Sequence, residues 1–65
     1  MSLHENKKVT LDLSQLNGNA FALMAGFRTA ARREGWTPNE IEAVLTECKS
    51  GDYDHLVQTL IRVTR

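Results

Sequence analysis

The chain has 65 residues, which is the size of one domain, and a chain this short buries only about 60% of its unfolded surface. Eight acidic and eight basic side chains balance, so no net field attracts nucleic acid or a membrane surface. A single cysteine, Cys48, excludes an intramolecular disulfide and favours a reducing compartment. No apolar run approaches the ~20 residues of a membrane span and no signal peptide is visible, so we expect a cytoplasmic protein without a membrane segment.

The first elements are a tail and a strand. Residues 1–7 are polar, and we expect a disordered tail there, followed by a single domain over 8–65. Val9, Leu11 and Leu13 alternate with polar residues, which predicts a β-strand over about 8–13 with one buried face.

No second segment of the sequence is typical of a strand, so this strand needs a partner for its hydrogen-bonding edge. Pairing with the same strand of a second copy about a two-fold axis gives a homodimer, which the small core favours. The alternative is an extended arm that lays its three apolar residues across the helices of its own chain.

The first predicted helix spans about 19–34, with Asn17 or Asn19 as its cap. Its apolar residues recur at spacings of three and four, as in a helix with one buried face: Ala20, Leu23, Met24, Phe27, Ala30 and Ala31. A second stripe consists of small residues that allow another backbone to approach closely: Ala22, Ala25, Gly26 and Thr29. We expect this small-residue stripe to contact the third helix, the strand or a second subunit, because a glycine inside a helix costs about 1 kcal/mol relative to alanine.

The turn after this helix carries the most specific local signals. Gly35 suits a left-handed helix ending, which directs Trp36 back towards the helix it follows. Thr37 and Glu40 have the spacing of a capping box, and Trp36 and Ile41 have the spacing of a hydrophobic staple. One indole is therefore expected to contact two helices.

The second predicted helix spans about 38–50 and the third about 53–64. The fold class is therefore mainly α, a three-helix bundle with an N-terminal strand. Cys48 lies on the apolar face of the second helix, where we expect a small core hydrophobe, and Asp52 is placed to cap the third helix. The third helix is expected to bury Tyr53, Leu56, Val57, Leu60, Ile61 and Thr64.

Nothing in the sequence indicates catalysis. It has no nucleophile, base and orienting partner, no glycine-rich phosphate loop and no indication of paired buried carboxylates. Asp52, Asp54 and His55 lie close together, but no further histidine or cysteine ligands accompany them. We therefore interpret this cluster as a capped helix start, and we predict a non-enzymatic protein without a metal or cofactor.

A helix-turn-helix is the alternative function. Ala31, Gly35 and Ile41 have the spacing of that motif's small, glycine and branched positions, which would place 38–50 in the major groove of DNA. This segment carries three glutamates and one lysine, whereas phosphate affinity comes from Lys and Arg. Arg28 and Arg32 share a face of the first helix instead, so we expect a protein partner rather than nucleic acid.

Several short runs resemble small uncharacterised proteins of bacteriophages and prophages. These runs are Gly18-Asn19-Ala20-Phe21-Ala22-Leu23-Met24, Gly35-Trp36, Glu40-Ile41, Ala43-Val44-Leu45 and Ser50-Gly51-Asp52-Tyr53-Asp54-His55-Leu56. The resemblance covers residues 8–62 and implies a cytoplasmic, phage-type origin, with no particular activity.

The chain is also similar to ubiquitin-associated domains, which are compact three-helix units. Glu34-Gly35-Trp36 stands where that family has methionine, glycine and an aromatic, and Gly51-Asp52 opens the last helix, which contains Leu56 and Leu60. The missing methionine and the long first helix depart from the family's pattern, so the likeness implies only the three-helix topology.

The leading prediction is a small interaction module that acts on a host or phage protein and forms a homodimer through strand 9–13 or the small-residue stripe. Four surfaces are candidates: the strand, the stripe, the basic pair of the first helix and the acidic face of the second. Their residues are Val9, Leu11, Leu13, Ala22, Ala25, Gly26, Thr29, Arg28, Arg32 and Glu42.

Overall fold

The structure, a computed structural model, describes residues 8–13 and 18–64. Three helices form the domain: α1 Ala20–Arg33, α2 Pro38–Lys49 and α3 Tyr53–Val63. The mainly α, three-helix prediction is confirmed, and each helix bound lies within one residue of the predicted position. The tail predicted over 1–7 lies outside the described residues.

The strand predicted over 8–13 is not present in the described part of the chain. Val9 instead forms one isolated parallel bridge with Thr64, in which the Val9 N–H donates to the Val63 carbonyl oxygen at 2.8 Å. The next N–H, that of Thr10, donates to Glu34 Oε2 at 2.8 Å. Both bonds stay within one chain, so the residues that end α3 and α1 supply acceptors for the Val9 and Thr10 N–H groups.

Residues 8–13 therefore form an N-terminal arm that packs on the helices of the same chain. The Val9 side chain is fully buried, and Leu11 and Leu13 are partly buried against the core. The sequence analysis gave this arm as the alternative to pairing between two copies. The alternation of apolar residues allowed both, because it specifies that one face is buried but not what covers that face.

The core lies between the three helices and beneath the arm. Its buried apolar residues are Val9, Leu23, Phe27, Ala30, Ala31, Trp36, Ile41, Val44, Leu45, Cys48, Leu56, Leu60 and Val63. Thr59 is buried with them, and its hydroxyl donates to the His55 carbonyl oxygen at 2.8 Å, so this polar group is satisfied.

Both ends of α1 follow local sequence rules. At the start, Asn19 Oδ1 accepts from the Ala22 N–H at 2.9 Å, so Asn19, which was one of the two predicted caps, caps the helix. At the end, the Gly35 N–H donates to the Arg32 carbonyl and the Trp36 N–H to that of Ala31, with Gly35 at a φ of 89°. This pair of bonds is a Schellman motif, which needs the left-handed residue that glycine supplies.

Trp36 belongs to the buried core cluster that also contains Phe27 of α1 and Ile41 of α2. Its side chain is only 5% exposed, and its indole meets Phe27 edge-to-face with the ring centroids 5.4 Å apart. The capping box of α2 follows directly, since the Thr37 N–H donates to Glu40 Oε1 at 2.8 Å and the Glu40 N–H to Thr37 Oγ1 at 3.2 Å. The entry angle of α2 is therefore set by an apolar contact on one side and a reciprocal cap on the other.

The predicted inward face of α3 is wrong at two positions. Tyr53 and Ile61 are each 50% exposed. The buried residues are Leu56, Thr59, Leu60 and Val63. Helix α3 packs against the arm as well as against α1 and α2, because Val63 lies beneath the arm. Its buried face is therefore rotated, relative to the predicted face, towards Thr59 and Val63.

Candidate interaction surfaces

The first candidate surface, the arginine groove, lies between α1 and the first turns of α2. It is a depression of about 360 Å³ lined by Arg28, Arg32, Trp36, Pro38, Ile41 and Glu42. Arg28 and Arg32 are one helical turn apart and share a wall, while Glu42 belongs to α2. The turn at Gly35 thus brings together three of the residues that the sequence analysis proposed.

The base of this groove is apolar and its rim is charged. Trp36 and Ile41 are both buried, so the base of the groove is apolar and belongs to the core. Within the part of the chain that the structure describes, neither Arg28 nor Arg32 has a carboxylate oxygen within 4.0 Å. Two guanidinium groups, which match the planar geometry of a carboxylate, are therefore exposed beside an apolar surface.

The second candidate surface, the arm groove, lies between the N-terminal arm and α1. It is a depression of about 420 Å³ lined by Thr10, Leu11, Ala22, Ala25, Gly26, Thr29, Ala30 and Arg33. The small-residue stripe therefore lies beside the segment that was predicted as a strand, which is one of its three expected neighbours. Val9, by contrast, is fully buried and is not part of an accessible surface.

A third surface was not predicted. Phe21 is 81% exposed, and it was not among the predicted apolar positions of α1. It borders a depression of about 320 Å³, here called the Phe21 surface, which is lined by Ala20, Phe21, Met24, Cys48, Lys49, Gly51, Asp52, Tyr53 and Leu56. The available signal was a large aromatic residue outside the helical spacing of the core residues.

A glutamate, a serine and a histidine meet where α2 ends. His55 Nε2 lies 2.8 Å from Glu47 Oε2, 3.1 Å from the Glu47 carbonyl oxygen and 3.4 Å from Ser50 Oγ. All these contacts converge on the same ring nitrogen, whereas a catalytic triad places its serine and its acid on opposite nitrogens. The cluster is therefore a polar clamp that satisfies the Glu47 carbonyl group at the end of α2.

Cys48 is a core residue, as predicted. Burial, and secondly the negative charge of Glu47, raise the pKa of its thiol from the ordinary 9.0 to about 11. The thiol is therefore protonated at neutral pH, and a protonated thiol is a poor nucleophile and metal ligand.

Asp52 caps α3, as predicted, since its Oδ1 accepts from the His55 N–H at 2.9 Å. Over residues 8–13 and 18–64 no cluster of three or more potential metal ligands is found. Nor does any helix there have the length and apolar content needed to cross a bilayer.

No protein family, curated protein or solved structure matches the chain. Function is therefore inferred from the surfaces that the chain itself presents.

Proposed function

We propose that this protein is a small non-enzymatic interaction module, and that its arginine groove binds an acidic segment of a partner protein. The observation that carries the proposal is the pair Arg28 and Arg32, one turn apart on the rim of an apolar depression, without a described carboxylate within 4.0 Å of either. Guanidinium groups bind carboxylates through paired, charge-assisted hydrogen bonds.

The groove also determines which segment fits best. An apolar side chain of the partner would pack against the base formed by Trp36 and Ile41, and burial of apolar surface supplies most of the binding free energy. Its acidic side chains would lie on the α1 wall, away from Glu42 on the α2 wall. The preferred segment therefore has an apolar residue with Asp or Glu on one side only.

We further propose that the partner is a host or phage protein of the cytoplasm, as the likeness to phage and prophage proteins implies. A homodimer is part of the proposal, but pairing through 9–13 is disfavoured. Successive N–H groups of an extended chain point to opposite edges, and those of Val9 and Thr10 both donate within the chain. The small-residue stripe is still available to a second copy, and another surface is argued below.

DNA binding is the second candidate function. Ala31 and Ile41 are buried and Gly35 has a positive φ, as the spacing of a helix-turn-helix motif requires. However, Glu42 is exposed on α2, the helix that would enter the major groove, and its carboxylate would repel phosphate. A protein partner is therefore the better supported of the two.

Trp36 offers a direct test, because it is the chain's only tryptophan and lines the groove. We would titrate the protein with a short peptide that carries leucine with glutamates on one side only, and with the same peptide in which glutamines replace the glutamates. The acidic peptide is expected to change the tryptophan emission and to bind less tightly as salt is added. The glutamine peptide is expected to bind weakly or not at all.

The paired variant Arg28→Ala/Arg32→Ala is expected to weaken peptide binding by about tenfold or more, because charge-assisted hydrogen bonds are lost. Arg33→Ala/Arg62→Ala is the matched control, since it removes the same charge outside the groove. Equal binding by the two double variants would show that the arginine groove is not the site. Binding of a labelled DNA duplex, with steep salt dependence and no response to the peptides, would favour the DNA-binding alternative.

A further inference from the structure

The most exposed large apolar side chain among the described residues is that of Phe21, in the first turn of α1. It lies beside a depression whose lining includes Met24, Leu56 and the half-exposed Tyr53. Contiguous apolar surface rimmed by polar residues marks sites where proteins associate. The polar rim here consists of Lys49 and Asp52.

We propose that a second copy of this chain occupies the Phe21 surface, with Phe21 of each copy inserted into the depression of the other. A two-fold interface requires one surface to carry both the inserting group and the site that receives it. The Phe21 surface meets this requirement, because Phe21 itself forms part of the lining.

Charge supports a second copy rather than an unlike partner. Lys49 and Asp52 both line the depression, so a two-fold axis between the two copies can set the lysine of each against the aspartate of the other. The whole chain also has a formal net charge of zero at pH 7, so two copies approach each other without long-range repulsion.

One wall of the surface is held in place before association. The Tyr53 hydroxyl donates to the Gly18 carbonyl oxygen, which ties the start of α3 to the residues before α1. A ring that is already fixed loses little conformational freedom on binding. Ala20 is a small residue of the lining, and it leaves room for an inserted phenyl group.

This dimer is independent of the proposed function at the arginine groove. The two depressions share no lining residue, so dimerisation leaves both arginine grooves accessible. A depression of this size predicts a small interface, and small interfaces belong to weak or transient complexes. We therefore expect a dissociation constant between micromolar and millimolar.

The test is analytical ultracentrifugation of the full chain over a concentration series reaching about 1 mM. Phe21→Ser is expected to raise the dimer dissociation constant by about 30-fold or more, the scale of a central interface residue. Ile61→Ser is the control, because it removes a half-exposed apolar residue outside the Phe21 surface. Both variants are expected to keep the wild-type circular dichroism spectrum at low concentration, since both side chains are exposed.

A charge test is independent of the aromatic residue. Lys49→Glu is expected to weaken the dimer because it places like charges opposite each other, and adding Asp52→Asn should recover part of the loss. Asparagine still caps a helix, so the second change leaves the start of α3 intact. A wild-type protein that stays monomeric at about 1 mM overturns the proposal. A dimer that Phe21→Ser leaves unchanged also overturns the proposal. If Gly26→Leu disrupts that dimer, the interface is the small-residue stripe.

Discussion

The two turns that join the helices reverse the chain by different chemistry. Between α1 and α2, Trp36 is buried edge-to-face on Phe27, and the turn closes with a Schellman motif and a capping box. Between α2 and α3, the contacts are the polar clamp of Glu47, Ser50 and His55, in which the Glu47 and His55 side chains are 39% and 36% exposed. The first turn is stabilised by apolar burial, whereas water competes for the contacts of the second.

The difference also extends to the two proposed binding surfaces. The first turn contributes Trp36 to the base of the arginine groove, so a ligand there meets part of the core. The second turn contributes Gly51 and Asp52 to the Phe21 surface, so a second copy meets a segment fastened by exposed hydrogen bonds. The arginine groove should therefore keep its shape on binding more closely than the Phe21 surface does.

Removal of the buried side chain at the centre of the first turn gives the largest expected effect. Trp36→Ala should lower the free energy of unfolding by about 3 kcal/mol or more, as expected for a large aromatic lost from a core. His55→Ala should lower it by about 1 kcal/mol or less, because its partners are partly exposed. Urea unfolding followed by circular dichroism measures both, since the first variant lacks the only tryptophan. Equal losses would contradict the distinction between the two turns.

The two turn glycines are expected to resist substitution for different reasons. A Cβ at Gly51 would lie 2.8 Å from His55 Cγ, so Gly51→Ala should cost about 1–3 kcal/mol through overpacking. A Cβ at Gly35 meets no atom within 4 Å, but the φ of 89° strains any other residue, so Gly35→Ala should cost about 1–2 kcal/mol.

A double-mutant cycle separates the two causes. His55→Ala removes the imidazole ring but keeps Cβ, which is also close to Gly51, so it should relieve part of the cost of Gly51→Ala. It should leave the cost of Gly35→Ala unchanged, because that cost arises in the backbone. A cost of Gly51→Ala that does not depend on His55 would show that the contact is not its cause.

A smaller effect on the free energy of unfolding is expected from Cys48. This residue lies under the second turn and is buried, whereas the side chains of the polar clamp are partly exposed. The pKa of its thiol is raised from 9.0 to about 11 by burial and by Glu47, so the folded chain holds a proton that the unfolded chain loses at lower pH. This contribution to stability is present below pH 9 and is lost as the pH rises towards 11. The wild type should therefore lose more stability over that interval than Cys48→Ala does.

Urea midpoints of both proteins at several pH values measure this difference, and the other groups that titrate in the interval cancel in the comparison. Parallel pH profiles would mean that the thiol is not shielded. They would also show that water reaches the interior of the second turn as readily as its polar exterior.

Much of the helical architecture was predictable from the sequence because its causes are local. Gly35 signals a left-handed ending, and the spacing of Thr37 and Glu40 signals a capping box, whatever the rest of the chain does. Trp36 could be assigned to both helices because staple spacing depends only on residues within one turn of the cap. The structure confirms the left-handed glycine and the capping box, and it buries Trp36 in the same core cluster as Ile41.

The remaining features depended on tertiary packing. The alternation at 9, 11 and 13 specified a buried face, but only the position of the α3 end decided that the chain's own helices cover it. The exposure of Tyr53 and Phe21, and the meeting of Arg28, Arg32 and Glu42 in one groove, likewise followed from how the helices pack. Periodicity reports which residues share a face of one element, whereas the neighbour of that face is set by contacts between residues distant in sequence.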